Sequence, residues 1–149
     1  MEAPKIYYEW VQVLNCIKEG KNDKESLALM NLGQLEQQDG VYTRFMARLL
    51  AVINTRFTDA TSTFQKAIAN LNDESETAIQ QALGKLAGEM SFIPKLAKLP
   101  VLKSDDSAKM LTLITDQINR IGESLVKSAK TDRTGRLTSI LKSKGFKVD

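Results

Sequence analysis

Apolar residues recur at helical spacing along most of the chain. In the first segment Ile6, Trp10, Val13 and Ile17 lie three or four residues apart, and Gly20 follows them as a stop signal. No stretch alternates between apolar and polar residues over the length of a strand. The pattern predicts an all-α protein, a bundle of five to six helices with one long central helix.

Residues that begin or end helices predict the bounds of the other elements. Asn22 and Glu25 have the spacing of a capping pair, and they predict a second helix that continues through Leu35 to a break at Asp39-Gly40. Pro94 predicts the end of the fourth helix. The predicted third, fifth and sixth helices span residues 41–71, 105–130 and 137–142.

The stretch "PKLAKLPVLKSDD", which begins at Pro94, separates the fourth and fifth helices. Its prolines and lysines predict an extended connector. We expect its apolar residues to attach it to the core; they are Leu96, Leu99, Val101 and Leu102.

The third helix carries two apolar stripes. The main stripe consists of Met46, Leu50, Ile53, Phe57, Ala60, Phe64, Ile68 and Leu71, and a second stripe of Phe45, Leu49 and Val52 accompanies only its first half. We therefore expect the first half to be more deeply buried. The residues predicted for the core of the whole protein are Trp10, Leu50, Ile53, Phe57, Leu83, Leu86, Ile118 and Ile121.

Composition and charge limit the possible functions. A chain of 149 residues with 42% hydrophobic and 26% charged residues is typical of a single soluble domain, and the longest apolar run, residues 49–53, is too short to cross a bilayer. The N-terminal sequence lacks the order of a signal peptide, and the single Cys16 cannot form an internal disulfide. We expect a cytoplasmic protein without a membrane partner.

The chain contains no histidine. This excludes Ser-His-Asp and Cys-His nucleophile systems and histidine-ligated metals, and one cysteine cannot form a thiolate cage. Acidic clusters such as Asp105 and Asp106 stand where helices begin, which fits a role opposite the helix dipole. The sequence predicts a protein that is not an enzyme and that has no metal, no cofactor and no small-molecule substrate.

Basic residues are concentrated in the C-terminal part of the chain. Residues 1–93 hold 9 basic and 12 acidic side chains, whereas residues 94–149 hold 12 and 6. Arg44 and Arg48 add cations on the predicted solvent side of the third helix, whereas Arg56 flanks its apolar surface. Uncompensated cations attract phosphates without reading base sequence, although a basic region can also serve only solubility.

The residues predicted to bind nucleic-acid backbone come from three regions. They are Arg44, Arg48 and Lys66 on the third helix, Lys95 and Lys98 in the connector, and Lys127, Lys130, Arg133, Arg136, Lys142 and Lys144 in a basic C-terminal tail from about residue 127. No aromatic residue is interleaved with the cations on the outer face of the third helix, which argues against base stacking. We expect contacts to the backbone alone.

Two glycines in "GKLAG", Gly84 and Gly88, lie opposite the apolar stripe of the fourth helix. Each lowers helix stability by about 1 kcal/mol relative to alanine. They mark a candidate protein contact, or they are glycines that a surface simply tolerates.

The segment "VYTRFMARLLAVI", residues 41–53, resembles the aromatic, Arg- and Leu-rich helix in the small-subunit-like regions of CRISPR effector complexes. The all-helical, basic chain is likewise similar to the small helical subunit of the Cascade type. The resemblance implies a non-enzymatic subunit that packs against other subunits, further copies of itself included. It also implies backbone contacts to a guide–target duplex or a displaced strand, with Arg44 and Arg48 as the phosphate-facing arginines.

A second hypothesis comes from a different class of protein. The chain can be a helical protein-interaction or regulatory module of phage or plasmid type, without nucleic-acid binding. An extended apolar groove would favour this alternative, and the basic region would then serve solubility.

Overall fold

The structure, a computed structural model, describes residues 2–69, 76–131 and 135–143. These residues form six α-helices and no strand, which confirms the predicted all-α class with one long helix in the middle of the chain. The helices are α1 (Tyr7–Glu19), α2 (Asp23–Asn31), α3 (Val41–Ala69), α4 (Glu76–Leu96), α5 (Ser104–Thr131) and α6 (Arg136–Ser143). None of them combines the length and apolar character that crossing a membrane requires.

The chain divides into two compact units. Unit 1 comprises residues 1–58 and 95–110, and unit 2 comprises residues 59–94 and 111–149. Unit 1 contains α1, α2, the first half of α3 and the turns before α5. Unit 2 contains the remainder of α3, most of α4 and α5, and α6.

The core of unit 1 is organised by Trp10, which is completely buried. Its ring meets Phe45 of α3 edge to face, with 4.9 Å between the ring centroids. Leu49 and Val52, which follow Phe45 on the second apolar stripe, are buried as well, and this agrees with the expected deep burial of this half of α3. The prediction for Leu50 is wrong, because α1 packs on the stripe of Phe45 and leaves Leu50 half-buried.

The second helix ends at Asn31, four residues before the predicted Leu35. Beyond it the chain passes directly over Trp10: a Cβ on Gly33 would lie 2.6 Å from Cζ2 of the indole. The carbonyl of Gln34 accepts a hydrogen bond from Trp10 Nε1 at 2.6 Å. The backbone N–H of Gln34 donates to the carbonyl of Pro4 at 2.8 Å. Satisfying the buried indole N–H therefore takes this segment out of the helix.

A buried ion pair joins α3 to the start of α2. Arg56 is only 7% exposed, and its two terminal nitrogens contact both carboxylate oxygens of Asp23 at 2.9 and 2.8 Å. The same guanidinium donates to the carbonyl of Ile17 at 3.0 Å. The sequence placed Arg56 beside the apolar surface but did not identify its partner.

The predicted capping pair at the start of α2 is not formed. Asn22 adopts a left-handed conformation, with φ 54°, and its side chain makes no capping hydrogen bond. The reason is the short reversal after α1, where Gly20 already caps the preceding helix in a left-handed conformation and Lys21 alone separates it from Asn22. A capping side chain requires extended backbone at that position.

Unit 2 has its own apolar core, which includes Leu83 and Leu86 as predicted. Its members are Ala60, Phe64, Ile79, Ala82, Leu83, Leu86, Leu125, Ala129, Leu137, Ile140 and Leu141. Ile118 and Ile121 were predicted to be buried, but both are half-buried. Ile121 packs against the core with one side and lines a small surface cavity with the other, which explains its exposure.

The end of α4 and the connector also differ from the prediction. Pro94 lies inside α4, which ends at Leu96, because a proline near a helix end removes one N–H donor without preventing a last turn. Two tight turns replace the expected extended connector, closed by hydrogen bonds from Lys98 to Lys95 and from Leu102 to Leu99. Leu96, Leu99 and Leu102 are buried, as expected.

We expect Gly33→Ala to destabilise the protein, because the added methyl group would overlap the buried indole. Insertion of a methyl group into a packed core costs about 1 to 3 kcal/mol. The matched control is Gly88→Ala, where no atom lies within 4 Å of the added Cβ and helix propensity should stabilise by up to about 1 kcal/mol. Urea unfolding measures both variants; a stabilised Gly33→Ala protein would contradict the packing described for Trp10.

We expect Asp23→Ala to lower the free energy of unfolding by about 3 kcal/mol, because it leaves the Arg56 guanidinium buried without its carboxylate. This value is at the lower end of the range for buried pairs, since Asp23 keeps 29% of its side chain exposed. Glu19→Ala is the control: Glu19 pairs with Lys21 at 3.1 Å, but both side chains are largely exposed, so the loss should stay below about 1 kcal/mol. Equal losses in the two variants would contradict this assignment.

Candidate nucleic-acid interface

Arg44 and Arg48 lie one turn apart on α3, and both are exposed. The structure places a tyrosine of α1 against both of them. The guanidinium of Arg44 lies over the ring of Tyr7, 5.4 Å from its centroid, and Arg48 Nε donates to the Tyr7 hydroxyl at 3.4 Å. The two predicted cations therefore belong to one cluster, the Tyr7 cluster, formed by Tyr7, Arg44 and Arg48.

The hydrogen bonds that Arg44 and Arg48 make within the protein use only the Nε of each guanidinium. Arg44 Nε donates to the carbonyl of Gly40 at 3.4 Å, and Arg48 Nε donates to the hydroxyl of Tyr7. Among the described residues no carboxylate is paired with either arginine. The terminal nitrogens, with four N–H groups on each arginine, thus remain available to a phosphate.

The sequence did not indicate this aromatic contribution. The prediction against base stacking rests only on the outer face of the third helix, and a tyrosine from another helix lies beside its arginines. Tyr7 is 37 positions from Arg44 in the chain, and packing of α1 on α3 brings them together. The neighbouring Tyr8 is 66% exposed on the same helix.

A second cation lies over an aromatic ring elsewhere in unit 1. Lys103 Nζ is 4.7 Å from the centroid of the Tyr42 ring, and the N–H of Lys103 donates to the Tyr42 hydroxyl at 3.0 Å. That hydroxyl in turn donates to Asp106 Oδ2 at 2.7 Å. Burial raises the pKa of Tyr42 above its usual value; the backbone donor from Lys103 opposes this shift, and the bond to Asp106 and its negative charge reinforce it.

The other predicted cations are distributed over both units. Lys95 and Lys98 are exposed in unit 1, and Lys66, Lys127 and Lys142 are exposed in unit 2. Lys130 and Arg136 belong to α5 and α6, but their side chains lie outside the described part of the structure, as do Arg133 and Lys144 entirely. Lys127 is part of α5, and the apolar residues of α6 contribute to the core of unit 2.

Both candidate protein-contact glycines are at the surface. Gly84 and Gly88 are exposed on α4, and a Cβ at either position would meet no other atom within 4 Å. Within its unit, this part of α4 is therefore open to close approach by another chain.

Unit 1 also contains an open groove of about 800 Å³. It is lined by residues 33–40, by Tyr42 and Thr43 of α3, and by Pro100, Val101 and Lys103 of the connector. Two of its ionisable groups are engaged in hydrogen bonds: Glu36 accepts from the backbone N–H of Tyr7 at 2.9 Å, and Tyr42 donates to Asp106. In the described parts of the chain no three potential ligands are grouped to hold a metal ion.

Comparisons with protein families, with curated proteins and with solved structures find no match to this chain. The side chains described above are therefore the basis on which a function is assigned.

We expect Tyr42 to ionise above the usual range near pH 10. Because its pKa is raised in the folded state, its contribution to stability is complete below the unfolded pKa and is lost as the pH rises through the folded pKa. The difference in unfolding free energy between wild type and Tyr42→Phe should therefore shrink above about pH 10.

The absorbance difference between wild type and Tyr42→Phe locates the titration directly. Asp106→Asn should move this titration to lower pH, since it removes the charge that opposes formation of the phenolate. A Tyr42 titration at or below the value of a free tyrosine would contradict the geometry.

Proposed function

We propose that the chain is a non-enzymatic helical subunit of a larger assembly that binds nucleic-acid backbone without sequence preference. We compare this role with that of the small subunit of a CRISPR complex of the Cascade type, because residues 41–53 resemble a helix in the small-subunit-like regions of such complexes. The expected partners are nucleic acid and other protein subunits, which can include further copies of the chain. The role requires no metal or cofactor.

The observation that carries the proposal is the Tyr7 cluster. Arg44 and Arg48 are exposed on adjacent turns of α3, and they form no ion pair with a carboxylate among the described residues. Planar guanidinium groups of this kind bind phosphate oxygens with two parallel hydrogen bonds. By contrast, Arg56 of the same helix is buried against Asp23 and has no such role.

Backbone binding of this type is independent of base sequence. Phosphate contacts release condensed counterions, so the affinity falls as salt rises, with a slope set by the number of contacts. An isolated subunit with few contacts should bind at about 10⁻⁴ to 10⁻⁶ M.

A protein-interaction module is the second candidate, and exposed apolar residues favour it. Leu32 is 76% exposed directly after α2, and unit 2 has an apolar cavity of about 190 Å³ that includes Phe64, Ile68 and Ile121 in its lining. This cavity is small compared with the extended groove that would accommodate a partner helix.

The test is fluorescence anisotropy of labelled single- and double-stranded oligonucleotides over a salt series. We expect Arg44→Ala/Arg48→Ala to weaken binding of all sequences and to reduce the slope of log affinity against log salt by about one to two. The matched control is Lys18→Ala/Lys24→Ala, which removes the same charge from two exposed sites of unit 1 outside the cluster. It should leave the slope unchanged.

A second arm examines the C-terminal cations. Because α6 contributes Leu137, Ile140 and Leu141 to the core, truncation before it would damage unit 2, and Lys127→Ala/Lys142→Ala is the better variant. We expect the lysine double variant to bind oligonucleotides more weakly than wild type, with a smaller loss of affinity than the arginine double variant.

Absence of binding by wild type at low salt, or binding unchanged in both double variants, would refute the proposal. The interaction module would then be the better account.

A further inference from the structure

The Tyr7 cluster contains more than two cations that happen to be close. We propose that Tyr7 is a positioning residue that fixes Arg44 and Arg48 as one phosphodiester-binding site. This inference rests on the proposed function and adds to it a residue that does not itself carry charge. The ligand is the phosphate backbone of a nucleic acid, which the terminal nitrogens of both arginines bind together.

The first step of the argument is the way Tyr7 itself is held. It is the first residue of α1, half-buried, and its backbone N–H donates to Glu36 Oε1 at 2.9 Å. One turn later Trp10 packs against Phe45, the direct neighbour of Arg44. The position of the tyrosine relative to α3 is therefore set by the core of unit 1.

The second step is what the tyrosine does to each arginine. Its ring supports the guanidinium of Arg44 at 5.4 Å, and its hydroxyl accepts from Arg48 Nε at 3.4 Å. Arg44 Nε is also engaged, by the carbonyl of Gly40 at 3.4 Å. Both side chains are thus anchored through Nε, and their terminal nitrogens have no hydrogen-bond partner among the described residues.

The third step is energetic. A free arginine on a surface samples many rotamers and loses that freedom when it binds a phosphate. A side chain that is already held on an aromatic ring loses less on binding, so the same contact gives a higher affinity. The terminal N–H groups of Arg44 have no hydrogen-bond partner among the described residues, which makes this arrangement compatible with a bidentate phosphate contact.

The test separates positioning from charge. Tyr7→Leu removes both the ring and the hydroxyl, whereas Tyr7→Phe keeps the ring under Arg44 and removes only the acceptor of Arg48. We expect Tyr7→Leu to weaken oligonucleotide binding by about 2- to 5-fold, with Tyr7→Phe between it and wild type. The slope against log salt should not change, because the number of phosphate contacts stays the same.

Tyr8→Leu is the matched control, since Tyr8 is exposed beside Tyr7 and contacts neither guanidinium. A double-mutant cycle gives the decisive readout: in the Arg44→Ala/Arg48→Ala background, Tyr7→Leu should have no further effect. A general structural role would weaken binding in both backgrounds. Circular dichroism melting verifies that each variant is folded.

The outcomes distinguish the two proposals. If the arginine variant weakens binding but Tyr7→Leu does not, or if Tyr7→Leu acts equally in both backgrounds, the positioning role is wrong and nucleic-acid binding stands. If the arginine variant binds like wild type while the Lys127→Ala/Lys142→Ala variant is weakened, the positioning role is also wrong and nucleic-acid binding stands. If wild type does not bind, or if both double variants bind like wild type, both proposals are wrong.

Discussion

The hydrogen-bonding requirement of one buried indole determines much of unit 1. Trp10 is completely buried, so its Nε1 needs a partner inside the protein, and the carbonyl of Gln34 supplies it at 2.6 Å. The chain can approach that closely because Gly33 has no side chain to collide with the ring. The end of α2 and the irregular path after it follow from this arrangement. The same ring packs against Phe45, which fixes α1 and therefore Tyr7 beside α3.

Arginines on α3 have opposite environments because of their phase on the helix. Arg56 is rotated by about 120° from Arg44, since twelve residues at about 100° each do not complete a whole number of turns. Arg56 faces the packed side of unit 1, where a bidentate carboxylate and a backbone carbonyl satisfy its guanidinium. Arg44 faces outward, where the ring of Tyr7 orients the charge without neutralising it.

This difference explains why a count of charged residues does not show where positive charge is accessible. Arg56 adds to the net charge of +3 but is compensated in the interior, and Lys103 lies over Tyr42 near the carboxylate of Asp106. The arginines of the Tyr7 cluster are oriented by groups that accept hydrogen bonds without carrying charge. Their positive potential is therefore directed outward, which is the property that attracts a polyanion.

The sequence by itself determined the all-α class, the approximate helices and most of the core, because periodic burial is a local property of each helix. Its errors at the end of α2 and at Leu50 occur where a distant residue decides the outcome. Leu35 was assigned to α2 because the hydrogen-bonding requirement of Trp10 cannot be inferred from the residues near Leu35 in the sequence. Leu50 was placed in the core because α3 has two apolar stripes in its first half, and only the docking of α1 determines which of them is buried there. Arg44 and Arg48 were identified as exposed cations from helical phase, whereas their common contact with Tyr7 was not, since 37 residues separate Tyr7 from Arg44 and only tertiary packing joins them.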